Sequence, residues 1–245
     1  MLLSDQDRRL YEEKGYLLSK ALVSRRLIAQ IRDELKDIHT RMSTEAPDSV
    51  SITWEDPTAP EGERRIQQLM SSEKVSKTIE ELLHDDALLD LVSQLMSPDI
   101  SLFHSKLLPK EAGVGMAIPW HQDYAYWKRA ENRPLMINCQ IAIDPMTLEN
   151  GCLEFIPGSH RWGLQEHERH EEAFDVFLPG RYYVRDEAEA VPMDPGDGVF
   201  FSSLVIHGSA PNTSDRPRWA NTFAFNVTGN GKGADKRVLR GAARG

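Results

Sequence analysis

From about residue 99 to residue 228 the chain is a succession of short extended runs broken by proline and glycine turns, and this pattern narrows the possible folds most. The runs fall at 100–108, 134–143, 152–156, 198–201 and 219–227. Short strands separated by turn signals, with few helices between them, suggest an antiparallel sandwich or barrel. Helical patterns precede them. Leu27, Ile28, Ile31, Leu35 and Ile38 recur at helical spacing behind Ser24, a residue suited to capping a helix N-terminus. Val75, Ile79, Leu82 and Leu83 mark a second helix; Leu88, Leu89, Leu91, Val92 and Leu95 mark a third. The expected architecture is one mainly β domain of 245 residues with N-terminal helices. Its helical layer covers roughly 1–98, its barrel roughly 99–228 and a mobile tail roughly 229–245. The segment 43–62 is rich in Pro, Ser, Thr and acidic residues yet carries Ile52 and Trp54. It is either a lid or a surface loop whose tryptophan docks on the domain.

Composition removes several function classes. A formal net charge of -9 argues against a general nucleic-acid binder, because phosphate affinity comes from clustered Lys and Arg. Lys232, Lys236, Arg237, Arg240 and Arg244 make only the tail basic, and the glycines among them read as a solvated, mobile end. Cys139 and Cys152 make neither a disulfide framework nor a zinc-type cluster, so both thiols are expected to be reduced. No run approaches the ~20 apolar residues of a membrane span, and no basic-then-apolar leader opens the sequence. A cytoplasmic protein with a small-molecule substrate, and with neither nucleic acid nor membrane as partner, is the expectation.

Pro119-Trp120-His121-Gln122-Asp123-Tyr124 carries the chemistry. On an extended strand residues two apart share a face, so His121 and Asp123 can reach one metal ion together. Two imidazoles and a carboxylate on one face of an octahedron leave the opposite positions open, the arrangement of non-haem Fe(II) oxygenases. His207, at the end of the run 199–206, is the natural third ligand. The next strand alternates: Trp219, Phe223, Phe225 and Val227 face one way, Arg218, Ala220, Thr222 and Ala224 the other. An arginine above small side chains suits a pocket for a carboxylate-bearing molecule, since a guanidinium grips a carboxylate through two parallel charge-assisted hydrogen bonds.

With these motifs the sequence resembles the phytanoyl-CoA dioxygenase family of Fe(II)- and 2-oxoglutarate-dependent oxygenases, which includes the ectoine hydroxylases. The likeness runs from Tyr11-Glu12-Glu13-Lys14-Gly15-Tyr16 to the strand after Arg218. Its most specific parts are Trp120-His121-Gln122-Asp123, the run from Asn150-Gly151-Cys152 to Pro157-Gly158-Ser159-His160, and His207-Gly208-Ser209 with Arg218. The resemblance implies a double-stranded β-helix of the jelly-roll or cupin type, with Fe(II) on His121, Asp123 and His207. It implies 2-oxoglutarate and dioxygen as cosubstrates, consumed with release of succinate and carbon dioxide as a substrate C–H bond is hydroxylated. It selects Arg218 over Arg216 for the cosubstrate's distal carboxylate, with Ser209 assisting, and places Gln140 and Arg65 near cosubstrate-contacting positions. Halogenating relatives replace the metal-binding carboxylate by a small residue, so Asp123 implies hydroxylation.

Tyr124, Tyr126 and Trp127 follow the metal strand as candidates for the substrate pocket, with core or lid packing as the alternative. His167 and His170 lie three apart in a charged stretch that reads as a solvated helix or loop, and His160 as part of a turn. Two other functions remain open: a non-catalytic, metal-containing β-barrel that binds a small ligand, and a zinc-dependent hydrolase using the same triad.

Overall fold

Helix starts follow side-chain chemistry in the computed structural model, which describes residues 2–128, 132–169, 176–183, 185–231 and 237–241. Ser4 and Asp7 form a reciprocal capping box on α1 (Asp5–Lys14), and Gly15 ends that helix in the left-handed region. The Ser24 hydroxyl accepts from the Leu27 amide at 3.2 Å and opens α2 (Arg25–Leu35). Ser24→Ala is expected to lower stability by about 1 kcal/mol, read from urea unfolding. α3 (Ile38–Glu45), α4 (Lys77–Leu83) and α5 (Asp86–Leu95) complete the helical layer. Its apolar faces, including Ile31, Leu35, Ile79 and Leu91, pack on Leu107, Ile141, Phe223 and Phe225 of the largest sheet.

The strands in chain order are β1 (Tyr16–Ser19), β2 (Ser51–Trp54), β3 (Ile66–Met70), β4 (Ile100–Lys110), β5 (Ile118–His121), β6 (Met136–Ala142) and β7 (Leu153–Phe155). There follow β8 (Glu168–Arg169), β9 (Val176–Phe177), β10 (Glu189–Val191), β11 (Gly198–Ser202), β12 (His207–Ser209), β13 (Arg218–Val227) and β14 (Val238–Arg240). The major sheet has the order β1-β11-β6-β13-β4-β3-β2, with β14 also on β4; the minor sheet has the order β10-β7-β12-β5. These pairings are antiparallel, and the two sheets form the jelly-roll core expected from the sequence. β13 lies between β4 and β6, with Thr222 opposite both Lys106 and Gln140. Residues directly opposite on neighbouring strands share a face. One face therefore carries Arg218, Ala220, Thr222 and Ala224 from β13. Beside them lie His104, Lys106, Leu108 and Lys110 from β4, and Asn138, Gln140 and Ala142 from β6.

Two boundaries differ from the sequence-based expectation. The region before residue 99 is not purely helical, because β1, β2 and β3 extend the major sheet at its two ends. β2 falls inside the segment 43–62, and Ile52 and Trp54 pack against the core, so the docking alternative describes these two side chains. The tail is not wholly a mobile end either. Val238 pairs with Ser101, Arg237 bridges Glu73 at 3.3 Å, and Arg240 bridges Asp90 at 2.7 Å. Two of the basic residues that suggest solvation, Arg237 and Arg240, instead find carboxylates on or beside the helical layer. Lys232, Lys236 and Arg244 lie outside the described residues.

Candidate metal centre

Antiparallel pairing of β5 with β12 sets His121 directly opposite His207, and the two rings stand 4.3 Å apart between centroids. The strand expected to continue through Asp123 stops at His121. Asp123 has φ -56 and ψ -33 and opens α6 (Tyr124–Trp127). The turn is pinned by buried Gln122, whose Nε2 donates to the carbonyls of Gly163 at 2.9 Å and Leu204 at 2.6 Å. Its backbone N–H donates to His167 Nε2 at 2.9 Å. Helical curvature still returns the carboxylate to the imidazoles. Asp123 Oδ1 lies 3.6 Å from His121 Nε2, and Oδ2 lies 3.6 Å from His207 Nε2. Among the described residues, this is the one group of three or more His, Cys, Asp or Glu able to hold a metal; its ligand atoms all lie within 4.8 Å of one another.

The protonation states suit ligation. His121 Nδ1 lies 2.7 Å from the Pro119 carbonyl and His207 Nδ1 lies 3.1 Å from that of Val205. A carbonyl only accepts, so each Nδ1 carries the proton and each Nε2 keeps a bare lone pair. Burial, then the neighbouring His121, pushes the His207 pKa down to about 4, so its imidazole is neutral at physiological pH. Burial alone would raise the Asp123 pKa. Its contacts with His121 and His207 and the charge of Lys106 outweigh that effect and hold the carboxyl well below its ordinary range. Asn138 Nδ2, from the major sheet, donates to Asp123 Oδ2 at 2.7 Å and orients it. Two bare imidazole nitrogens and one ionised carboxylate fit an octahedral divalent ion with open positions.

Arg218 stands at the far end of the same face, 2% exposed, and donates to the Gly151 carbonyl. Its Nε is buried without a hydrogen-bond partner, as is Gln140 Oε1, whereas Gln140 Nε2 donates to Thr222 at 3.2 Å. Gly151 has φ +75, and a Cβ there would lie 2.2 Å from the Ala210 carbonyl oxygen. Gly151→Ala is therefore expected to cost more than about 1 kcal/mol in unfolding experiments, from backbone strain and the displaced contact. Ser209 is buried on β12, two residues from His207.

Not every expected site residue arrives. Arg65 is exposed and lines a cavity of about 490 Å³ with Arg32, His39, Glu111 and Trp219. Trp219 neighbours Arg218 along β13 and so points to the opposite face, which separates Arg65 from the site. Tyr126 meets His121 edge-on at 5.7 Å, whereas Trp127 is buried against Phe103 and His104, each 5.3 Å away. The Tyr124 hydroxyl donates to the Asn132 carbonyl at 2.5 Å. His167 buttresses the metal turn rather than lying on a solvated helix, and His160 sits in a short 3-10 turn against Glu12. His170 lies outside the described residues. The residues missed from sequence are Asn138, His104, Lys106 and Lys110. His104 and Lys106 on β4, and Asn138 and Gln140 on β6, fall two apart, which signals that each pair shares a face but not which face that is.

Comparison with known proteins gives a consistent picture. The family model described as phytanoyl-CoA dioxygenase (PhyH) matches residues 11–220. The peroxisomal phytanoyl-CoA dioxygenase of Bos taurus is 30% identical over 244 residues, covering 91% of this chain and 68% of that protein. The L-proline trans-4-hydroxylase of Streptomyces griseoviridis is 30% identical over 185 residues, covering 68% and 69%. Among solved structures, EctD from S. alaskensis with 2-oxoglutarate and 5-hydroxyectoine superposes with a TM-score of 0.77 at 22% identity, covering 93% of this chain and 77% of that one.

Proposed function

The chain belongs to the phytanoyl-CoA dioxygenase family of Fe(II)- and 2-oxoglutarate-dependent oxygenases, and from that premise we propose that it hydroxylates a C–H bond of a small molecule. His121, Asp123 and His207 hold the iron in this reading, and Arg218 with Ser209 holds the cosubstrate's distal carboxylate. The observation that carries it is the pairing of a His-Asp-His donor set at the minor sheet with a buried, under-bonded arginine on the major sheet. Bound iron, 2-oxoglutarate and dioxygen supply the oxidising power, with succinate and carbon dioxide as coproducts. The protein's own residues set geometry and exclude water. The carbonyls of Pro119 and Val205 fix both imidazole tautomers, and Asn138 fixes the carboxylate. Gln140 Oε1 is an acceptor left for whatever enters the pocket.

Lys106 bears on the substrate class. It shares the inner face with Thr222, its charge is felt by His104, Asp123 and His207, and the described residues give it neither hydrogen bond nor ion pair. A cation there favours a substrate with an acidic group, and proline, the substrate in the name of one relative, carries a carboxylate. Tyr124 and Tyr126 are candidates to line the approach. Trp127, packed on His104, shapes the wall behind it. The buried free thiols Cys139 and Cys152 support a reducing, cytoplasmic setting.

The test is oxygen-dependent release of succinate from 2-oxoglutarate by iron-loaded protein, screened for stimulation by small organic acids, with mass analysis of the product. Addition of one oxygen atom to a stimulating compound is the expected outcome. Turnover with zinc in the absence of oxygen would instead establish a hydrolase.

A further inference from the structure

Gln122 separates His121 from Asp123 in the chain, and its side chain is fully buried. Nε2 donates to the Gly163 and Leu204 carbonyls, while Oε1 accepts from the Gln165 N–H at 2.8 Å. The backbone N–H of Gln122 lies beyond the sheet. β5 stops at His121, where its pairing with His207 of β12 also ends. A buried N–H without an acceptor carries its full desolvation cost. The acceptor here is His167 Nε2, at 2.9 Å. His167 Nδ1 lies 2.9 Å from the Gln165 carbonyl, which only accepts, so the proton sits on Nδ1 and the lone pair of Nε2 faces Gln122.

The stretch leading to His167 is shaped for this grip. Gly163 has φ +73 and ψ -172, a conformation open to glycine and strained for other residues, and in it presents its carbonyl to Gln122 Nε2. β9 then returns to the same part of the chain. The Leu178 N–H donates to the Trp120 carbonyl at 2.7 Å. The Tyr126 hydroxyl donates to the Val176 carbonyl at 3.2 Å and accepts from the Val176 N–H at 3.0 Å. Residues 163–178 thus hold the chain at Trp120, Gln122 and Tyr126, on both sides of His121 and Asp123. None of these bonds uses a metal-facing atom of the triad. Such a hold matters because Asp123 reaches the imidazoles through a helical turn, with φ -56 and ψ -33, so no ladder hydrogen bond sets its direction.

Resting on the metal reading above, we propose that His167 is a positioning residue for the iron centre: by accepting the Gln122 N–H it fixes the turn that brings Asp123 between the two imidazoles. Without that acceptor the buried N–H is left unpaired, and the turn relieves the cost by shifting. The shift carries the Asp123 carboxylate away from the place where both of its oxygens face an Nε2 at 3.6 Å. His167 does not itself ligate the metal, because its one lone pair is committed to Gln122.

The test compares wild type with His167→Leu, which keeps bulk without an acceptor, and His167→Gln, whose amide oxygen can still accept. Two quantities are read anaerobically: Kd for Fe(II), by competition with a chelator, and the position of the weak visible charge-transfer band formed with 2-oxoglutarate. His167→Leu is expected to raise the Fe(II) Kd about 10-fold, the low end for loss of a group that orients metal ligands, and to shift and broaden the band. His167→Gln should stay within about threefold of wild type and keep the wild-type band. Iron affinity within twofold of wild type in His167→Leu, with an unchanged band, overturns the proposal. So does an equal loss in both variants that follows a fall in thermal stability of the metal-free protein, since a merely structural role gives that result. If His167→Leu fails to fold, His167→Asn, one methylene shorter than the glutamine, carries the test by the same criteria. A wild type that binds no Fe(II) overturns the metal reading and this proposal together. Iron-loaded wild type without the band overturns the cosubstrate reading alone, and the Fe(II) constants still decide the role of His167.

Discussion

Asp123→Ala is expected to reduce bound iron from one ion per chain to a trace and to abolish succinate formation. The carboxylate is the only anionic member of the three-residue donor set, and its two oxygens face the two Nε2 atoms at 3.6 Å each. Loss of a group that merely supports a metal ligand costs about 10- to 100-fold in affinity. Loss of the charged ligand itself should exceed about 100-fold, as measured by competition with a chelator. The metal-free fold should survive. Asp123 is a buried carboxylate, and removing it also removes a desolvated charge, which offsets the hydrogen bond lost by Asn138. Near-unchanged thermal unfolding of metal-free Asp123→Ala, beside lost iron, is the expected pair of results. Full iron occupancy in this variant would move the metal site elsewhere.

Arg218→Ala should separate cosubstrate binding from metal binding. Two charge-assisted hydrogen bonds to one carboxylate contribute about 3 kcal/mol or more together, which corresponds to roughly a 100-fold rise in Kd for 2-oxoglutarate. Iron affinity should stay within about threefold of wild type, because Arg218 donates to Gly151 and not to any of the three ligands. Arg218→Lys should fall between the two, since an ammonium keeps the charge but not the planar fork. Anaerobic calorimetry of metal-free protein with Fe(II), and then of iron-loaded protein with 2-oxoglutarate, measures the two constants in turn. Unchanged affinity in Arg218→Ala would assign the distal carboxylate to Lys110 or Lys106 instead.

The parts of this site that could be read from sequence are those fixed by local periodicity. Alternation along the run after residue 218 put Arg218 above Ala220, Thr222 and Ala224, and the sheet keeps them on one face. The run 199–206 before His207 ends where β12 begins. Asp123 was found for a reason only half right: spacing by two brought it to His121, but through a helical turn rather than a continued strand. That turn depends on Gln122 reaching Gly163 and Leu204, contacts no local pattern encodes. Lys106, Lys110 and Asn138 were missed for the same reason. Their common face is set by how β4 and β6 register against β13, and that register is tertiary. Arg65 lines a cavity on the Trp219 side of the sheet, and proximity to a family position along the chain does not specify which face of the sheet a residue approaches. The tail was misread because its partners, Glu73 and Asp90, lie some 150 residues upstream.

Anaerobic addition of 2-oxoglutarate to protein loaded with one equivalent of Fe(II) tests the central claim most directly. A weak visible metal-to-ligand charge-transfer band requires iron and the keto acid at one site with ligand positions open between them. The band is predicted to grow to saturation at one equivalent of cosubstrate in wild type and to be absent in Asp123→Ala. A folded, iron-loaded wild type that shows no band at saturating 2-oxoglutarate, or a band that persists undiminished in Asp123→Ala, would contradict the account.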